Sequence, residues 1–280
     1  MHIFDTIDAL REHLNQQKKQ GKRIGFVPTM GNLHKGHLSL IKQAKAQSDV
    51  VVSSIFVNPT QFSKGEDIER YPRTLEQDQT LLIEQGCDVL FIPEVQSMYP
   101  KGELTRVSVK DISAKYCGAS REGHFDGVTT IVCKLFNIVQ PDVAVFGSKD
   151  FQQLAIIRHM AKDLMMNIDI QAAPTFRADS GLALSSRNGY LSEEELDIAP
   201  AIYKTLTWAK EAILNNQSQA KIEKDAKAKL TEAGLKPDYF HICNADTLQA
   251  ATKDDTHIVI LVAAYLGSAR LIDNLNFEKQ

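Results

Sequence analysis

The chain has 280 residues, 43% hydrophobic and 24% charged, and Lys+Arg 32 against Asp+Glu 35 leaves a formal net charge of -3. This composition excludes a disordered or collagenous chain and a disulfide-stapled miniprotein, and it lacks the basic excess that drives nucleic-acid binding. The length suits two modest domains of roughly 100–200 residues each.

Met1-His2-Ile3-Phe4-Asp5 opens an amphipathic charged segment that does not read as a signal peptide. Ile7, Leu10 and Leu14 recur at helical spacing, with Asp5 or Thr6 as the N-cap. Residues 23–28 form a short apolar strand that Pro28 should end, and Gly31 to Gly36 reads as a tight turn before the helical stripe Leu38, Ile41 and Ala44. Residues 50–57 are a second apolar strand, 75–85 a helix, 89–92 a third strand, 128–139 a helix and 143–146 another strand. Leu154, Ile157, Ala161 and Leu164 mark a further helix. Apolar strands alternating with helices predict an α/β fold, a Rossmann-like parallel sheet with helices on both faces. Ligands of such sheets bind at the carboxyl ends of the strands, so the turns after Val27, Val57 and Phe146 are the places to look.

The texture changes after Arg187. Ser192-Glu193-Glu194-Glu195 fits a capping box, and Leu196, Ala199, Tyr203, Leu206 and Ile213 keep helical spacing, with Pro200 kinking or delaying that helix. A polar helix over 219–233 and strands over 239–243, 258–264 and 269–274 predict a smaller α+β domain. The division expected is 1–175 and 176–280. Cys87, Cys117, Cys133 and Cys243 form no C-x-x-C pair, which argues for reduced thiols and a cytoplasmic protein. The longest apolar run, 258–266, is far short of the roughly 20 residues of a membrane helix, so neither a membrane nor a nucleic-acid partner is expected.

Four segments carry chemistry. Pro28-Thr29-Met30-Gly31-Asn32-Leu33-His34-Lys35-Gly36-His37 joins a strand to a helix, whose unpaired N–H groups and dipole suit phosphate. An imidazole adds a hydrogen-bond donor or, when protonated, a charge. Residue types rank a nucleotide site first, a solvated turn second and a metal third, because no third ligand is near and the spacing differs from H-E-x-x-H. In Ile55-Phe56-Val57-Asn58-Pro59-Thr60-Gln61-Phe62, Asn58 and Gln61 offer neutral amides to a substrate with hydroxyl and carboxylate groups; an Asn-Pro turn is the plainer alternative. In Phe146-Gly147-Ser148-Lys149-Asp150-Phe151-Gln152-Gln153, Lys149 suits phosphate and Asp150 ribose, or Ser148 or Asp150 caps a helix; no Walker A loop is present. In Gly181-Leu182-Ala183-Leu184-Ser185-Ser186-Arg187-Asn188, two hydroxyls and a guanidinium can clamp a triphosphate, or the stretch is an exposed linker.

The H-x-G-H pattern at His34 and His37 resembles the signature shared by class I tRNA synthetases and cytidylyltransferases, and the 184–187 segment resembles the mobile K-M-S-K-S loop, with Arg187 in place of the second lysine. The four segments in this order, with Tyr71-Pro72-Arg73-Thr74 and Gly123-His124-Phe125-Asp126-Gly127-Val128 between them, closely resemble the pantothenate synthetase (pantoate–β-alanine ligase) family from about residue 24 onward. Leu184 stands where methionine is also familiar.

The resemblance implies ATP-dependent condensation of (R)-pantoate with β-alanine through a pantoyl adenylate, giving pantothenate, AMP and diphosphate. No covalent nucleophile is needed, so positioning and charge stabilisation are the protein's main tasks. By resemblance ATP is bound by Met30, Gly31, Asn32, Leu33, His34, Lys35, Gly36 and His37, by Gly147, Ser148, Lys149 and Asp150, by the backbone of Phe176, and by Leu184, Ser185, Ser186 and Arg187. His34, His37, Lys149 and Arg187 carry the catalysis, with His37 the family's proposed proton donor; Gln61 and Gln153 hold pantoate, and Gln61 also serves β-alanine. Magnesium is expected with ATP, held largely through phosphate oxygens; Asp67 and Asp78 are loose candidates for ligands. A homodimer through the amino-terminal domain is implied, with the second domain as a lid, and the polar stretch 62–70 reads as a loop over the site. The rivals are a nucleotidylyltransferase whose product keeps the nucleotide, a small tRNA synthetase disfavoured by length and charge, and a nucleotide-sensing protein with a dead site.

Overall fold

Strands that are apolar at every position must be covered on both faces, and the fold does so. The computed structural model describes residues 1–63 and 65–279. The chain runs β1 (His2–Phe4), α1 (Ile7–Lys19), β2 (Ile24–Thr29), α2 (Lys35–Lys45), β3 (Val50–Ile55), α3 (Leu75–Glu84), β4 (Val89–Phe91), α4 (Val95–Met98), α5 (Cys117–Ser120), α6 (His124–Val139), β5 (Val143–Gly147), α7 (Phe151–Asp163) and β6 (Asp169–Ala173). It continues through α8 (Glu193–Ile198), α9 (Ala201–Leu214), α10 (Gln219–Glu232), β7 (Lys236–Asn244), β8 (His257–Leu266) and β9 (Ala269–Glu278). It forms two compact units: residues 1–148 with 153–174, and residues 149–152 with the chain from 175 onward.

In the first unit six parallel strands take the order β1-β4-β3-β2-β5-β6, as the sequence predicts for the fold class. Alternate strand residues serve opposite faces. Phe26, Val50, Val52, Val89, Phe91 and Phe146 pack on one face with Leu10 and Leu14 of α1, Val132 and Phe136 of α6 and Leu154 and Ile157 of α7. Val27, Val51, Leu90 and Val145 pack on the other with Leu40, Ile41 and Ala44 of α2 and Leu82 of α3. The strand order reverses at β2 and β5, which pair only through Gly25↔Val143 and Phe26↔Ala144. Doubly wound sheets bind their ligands at such a reversal, outside the carboxyl ends of the strands.

Several local expectations need correction. Pro28 does not end its strand, because β2 continues to Thr29 with Pro28↔Ser54 and Thr29↔Ile55. The side on which proline lacks a donor is the one facing β5, where pairing has already stopped at Phe26, so no ladder bond is lost. Strand β3 stops at Ile55, two residues before Val57, where the chain turns into a 3₁₀ turn. Helix α6 begins at His124 rather than 128, and Leu164 lies beyond α7 and is exposed. Strands β1 and β6 were not expected; they are the two sheet edges.

In the second unit α8–α10 accompany the antiparallel sheet β7-β8-β9. Ser192 and Glu195 form the expected reciprocal cap of α8. Pro200 divides the anticipated helix into α8 and α9 and rotates its apolar stripe, so that Ala199, Ile202, Leu206, Ala209 and Ala212 are buried while Leu196 is exposed. These pack with Ile222, Ala226 and Leu230 of α10 and Phe240, Ile242, Ile258, Ile260 and Val262 of the sheet. No helix among the described residues is long and apolar enough to cross a membrane. Cys87, Cys117, Cys133 and Cys243 form no disulfide among the described residues.

Candidate active site

The turn between β2 and α2 lies at the carboxyl end of β2, where the sequence placed the first candidate segment. Gly31 and Asn32 adopt left-handed backbone, φ 79 and 51, which turns the chain sharply after Met30. A Cβ at Gly31 would stand 3.0 Å from Asp78 Oδ2 and 3.1 Å from Ile55 Cγ2, so the turn is also closely packed. The N–H groups of Asn32 and Leu33 donate to Asp78 Oδ2 and Oδ1 at 2.9 and 2.7 Å. Asp78 is 1% exposed and also accepts from Thr74 Oγ1. Its carboxylate braces the turn. Asp67 accepts the Arg70 N–H through its backbone carbonyl, and among the described residues no group of three His, Cys, Asp or Glu side chains is arranged for a metal.

His34 caps α2. Its Nδ1 accepts the Gly36 N–H at 3.1 Å, while His37 Nδ1 accepts the His34 N–H at 3.3 Å. The rings lie 4.1 Å apart, tilted by 34°. Because each Nδ1 accepts a backbone hydrogen, each ring carries its proton on Nε2. The helix start thus turns two histidines into a pair of Nε2–H donors beside its own N-terminal amides.

Beyond the end of β3, Asn58 and Gln61 differ in burial and partners. Asn58 is 1% exposed and works inward: Oδ1 accepts from Thr60 N and Oγ1 and from Tyr99 Oη, and Nδ2 donates to Gly127 O and Gln61 Oε1. Its amide is thus engaged on both sides within the protein, as a scaffold. Gln61 is only partly buried, and its Nε2 donates to Met30 Sδ at 3.1 Å. Two of the predicted segments therefore meet in this contact. Residues 59–61 sit against Gly127 of α6, where a Cβ would lie 2.2 Å from Thr60 O and 2.7 Å from Gln61 Cα. Gln153 stands partly buried in the first turn of α7. Lys64, within the expected loop 62–70, lies outside the described residues; Ser63 Oγ donates to Glu122 O and Glu66 pairs with Arg121.

Gly147 ends β5, and Ser148–Asp150 form a 3₁₀ turn leading directly into α7. In the second unit Lys149 Nζ is 3.9 Å from Asp150 Oδ1, and the Lys149 carbonyl accepts from Asn274 Nδ2 at 2.8 Å. Phe176 presents an exposed ring, while its carbonyl accepts the Leu184 N–H at 3.0 Å. Ser185 caps a short 3₁₀ helix, Ser186–Tyr190, by accepting the Arg187 N–H at 3.2 Å. Leu184, Ser185, Ser186 and Arg187 all remain partly exposed. This loop has a rigid base: Arg177 forks onto Asp273 at 2.6 and 2.9 Å, donates to Gly181 O and stacks over the Tyr203 ring at 3.8 Å.

Sequence reading missed Asp78 as a brace, and it missed Tyr99, Arg121 and Gly127. The Gly123–Val128 motif had signalled the last region without revealing its task.

The family model described as Pantoate-beta-alanine ligase matches residues 2–276. A pantothenate synthetase of Marinomonas sp. (strain MWYL1) is 54% identical over 281 residues, covering 99% of this chain and 100% of that protein. One from Pseudomonas fluorescens (strain Pf0-1) is 55% identical, covering 99% and 98%. The crystal structure of a pantothenate synthetase from Thermus thermophilus superposes with a TM-score of 0.93 at 43% identity, covering 98% of this chain and 99% of that one. A pantoate-β-alanine ligase from Francisella tularensis, solved with β-γ ATP and β-alanine, has a TM-score of 0.83 at 40% identity, covering 98% and 97%.

Proposed function

The chain belongs to the pantoate-β-alanine ligase family, and from that premise we propose how its residues divide the reaction. The overall activity is the ATP-dependent condensation of pantoate with β-alanine. In the first half-reaction a pantoate carboxylate oxygen attacks the α-phosphorus of ATP; the new acyl–phosphate bond forms as the bond to diphosphate breaks. In the second, the β-alanine amine attacks the acyl carbon, AMP leaves and the amine loses a proton.

The Nε2–H groups of His34 and His37 bind the phosphates, with the α2 amides behind them. Lys149 and Arg187 neutralise the departing diphosphate, Asp150 accepts from ribose and the Phe176 backbone reads the adenine. Residues 30–37, 147–150 and 184–187 make up the ATP contacts. Gln61 and Gln153 hold pantoate, and Gln61 then serves β-alanine. His37 contributes more by binding transition-state charge than by giving up a proton, because its Nδ1 is engaged in the helix cap. Magnesium arrives with ATP and is held largely through phosphate oxygens. The second domain, 176–280, acts as a lid carrying the phosphate clamp. The enzyme works as a cytoplasmic homodimer, which sedimentation velocity of the purified protein would test.

The observation that carries this reading is the histidine-capped start of α2 at the carboxyl end of β2. The decisive assay is diphosphate release with pantoate and β-alanine omitted in turn. Release that requires pantoate, with AMP and pantothenate appearing only after β-alanine is added, is the expected result. ATP binding without pantoate-dependent release would reject it.

A further inference from the structure

Gln61 is held at its side chain by Asn58 and Met30, but its main chain is held by a different set of groups. Its carbonyl oxygen lies 2.7 Å from His124 Nδ1 and 3.4 Å from Arg121 Nη2. His124, 7% exposed, is the first residue of α6. Its other nitrogen, Nε2, lies 2.8 Å from Arg121 Nη1. Arg121 in turn forks onto Glu66, Nε to Oε1 at 2.6 Å and Nη2 to Oε2 at 2.7 Å.

The chemistry of these groups fixes the proton. A guanidinium only donates, so His124 Nε2 must accept from it. The ring proton then sits on Nδ1 and is donated to the Gln61 carbonyl. This is the opposite tautomer to that of His34 and His37. A protonated ring would set an N–H against the guanidinium, so the arrangement holds a neutral imidazole. Glu66 completes the order by fixing the plane of Arg121. Of the charged groups described around the ring, Arg121 meets it directly and Glu66 stands behind Arg121.

We propose that Glu66, Arg121 and His124 form a positioning relay that sets the backbone of Gln61 and thereby aims its amide at pantoate. The relay rests on the substrate role given above to Gln61. It also links the segment after residue 62 to the substrate site, because Glu66 belongs to that segment. None of the three relay residues touches the reacting atoms in this scheme; each acts through Gln61.

The test combines spectroscopy with kinetics on the full-length enzyme. Long-range proton–nitrogen correlation spectra of ¹⁵N-histidine-labelled protein should show His124 neutral with its proton on Nδ1 at pH 7. In Glu66→Gln a population with the proton on Nε2 should appear. Kinetically, His124→Ala should raise the pantoate KM about tenfold, the effect of about one well-placed hydrogen bond, with the ATP KM within about twofold. His124→Asn can present an amide N–H where Nδ1 stood and should recover most of the loss. His124→Gln, whose amide reaches the Nε2 position instead, should not. A wild-type Nε2–H tautomer, equal recovery by Asn and Gln, or parallel rises in both KM values would overturn the relay. Gln61→Ala is measured alongside: an unchanged pantoate KM there would remove the substrate role of Gln61, a failure separable from the relay because the His124 tautomer is read without substrate.

Discussion

Asp78 Oδ1 accepts the backbone N–H of Leu33 at 2.7 Å, across 45 positions of sequence. With Oδ2 on Asn32, this one carboxylate fixes the left-handed bend that delivers His34 to the start of α2. Asp78→Asn keeps the size but sets an amide N–H₂ against one of those donors. A buried donor left unsatisfied costs about 1–3 kcal/mol. The melting temperature should fall, and the ATP KM should rise more than the pantoate KM. Equal KM values for wild type and variant would show that the turn holds its shape without the brace.

Lys149→Ala and Arg187→Ala should slow adenylate formation in single-turnover experiments far more than they weaken ATP binding. Loss of one preorganised donor from a developing anion costs on the order of a hundredfold in rate. Unchanged single-turnover rates would remove either residue from diphosphate stabilisation.

Gly127→Ala should be costly although it lies inside a helix, where alanine is ordinarily the better residue. The added Cβ would meet Thr60 O at 2.2 Å and Gln61 Cα at 2.7 Å, both backbone atoms that cannot swing aside. An overpacked contact of this kind costs about 1–3 kcal/mol. Displacing residues 60 and 61 should also raise the pantoate KM. A stability gain in thermal melts would show that α6 can retreat freely.

Burial pushes the Glu66 carboxyl up, but hydrogen bonds and charge from Arg121, with a backbone hydrogen bond from Ser63, outweigh it and hold the group below its ordinary value. A carboxylate depressed on folding contributes stability above its unfolded pKa of about 4.3 and loses it as pH falls through the lower folded value. The Glu66–Arg121 pair should therefore survive mild acid. In a ¹³C carboxyl titration Glu66 should titrate below the exposed glutamates, and Arg121→Gln should raise its midpoint. An ordinary Glu66 midpoint in the wild type would contradict the pairing.

Asp273→Asn should destabilise the enzyme strongly. Asp273 is 4% exposed at its side chain and is forked by Arg177, so the change leaves a guanidinium buried without its partner charge. Breaking such a pair costs about 3–5 kcal/mol. Denaturant unfolding measures this, and a loss below about 1 kcal/mol would mean that the pair is open to solvent.

What was legible in the sequence was whatever rests on neighbours. The Ser192–Glu195 cap and the strand-to-helix setting of His34 and His37 involve residues within three positions, and both are found where the sequence placed them. The central strands announced themselves by unbroken apolar runs. The edge strands β1 and β6 did not, because an edge is half exposed and its residues are mixed. Pro28 misled because its meaning depends on which neighbour strand has stopped pairing. Long-range polar contacts were invisible for the same reason: nothing local relates Asp78 to Leu33, or His124 to Gln61. The inward course of the Asn58 amide was equally hidden, because composition cannot tell a side chain turned inward from one turned outward.

The two histidines at the start of α2 have a double duty whose cost falls on the experimenter. Each uses Nδ1 to secure the helix and carries its proton on Nε2. Removing either ring takes away a helix-capping acceptor together with an Nε2–H donor, so an alanine variant confounds folding with binding. Asparagine, whose carbonyl can replace Nδ1 as the helix-capping acceptor but which has nothing in the place of Nε2, separates folding from binding at each position.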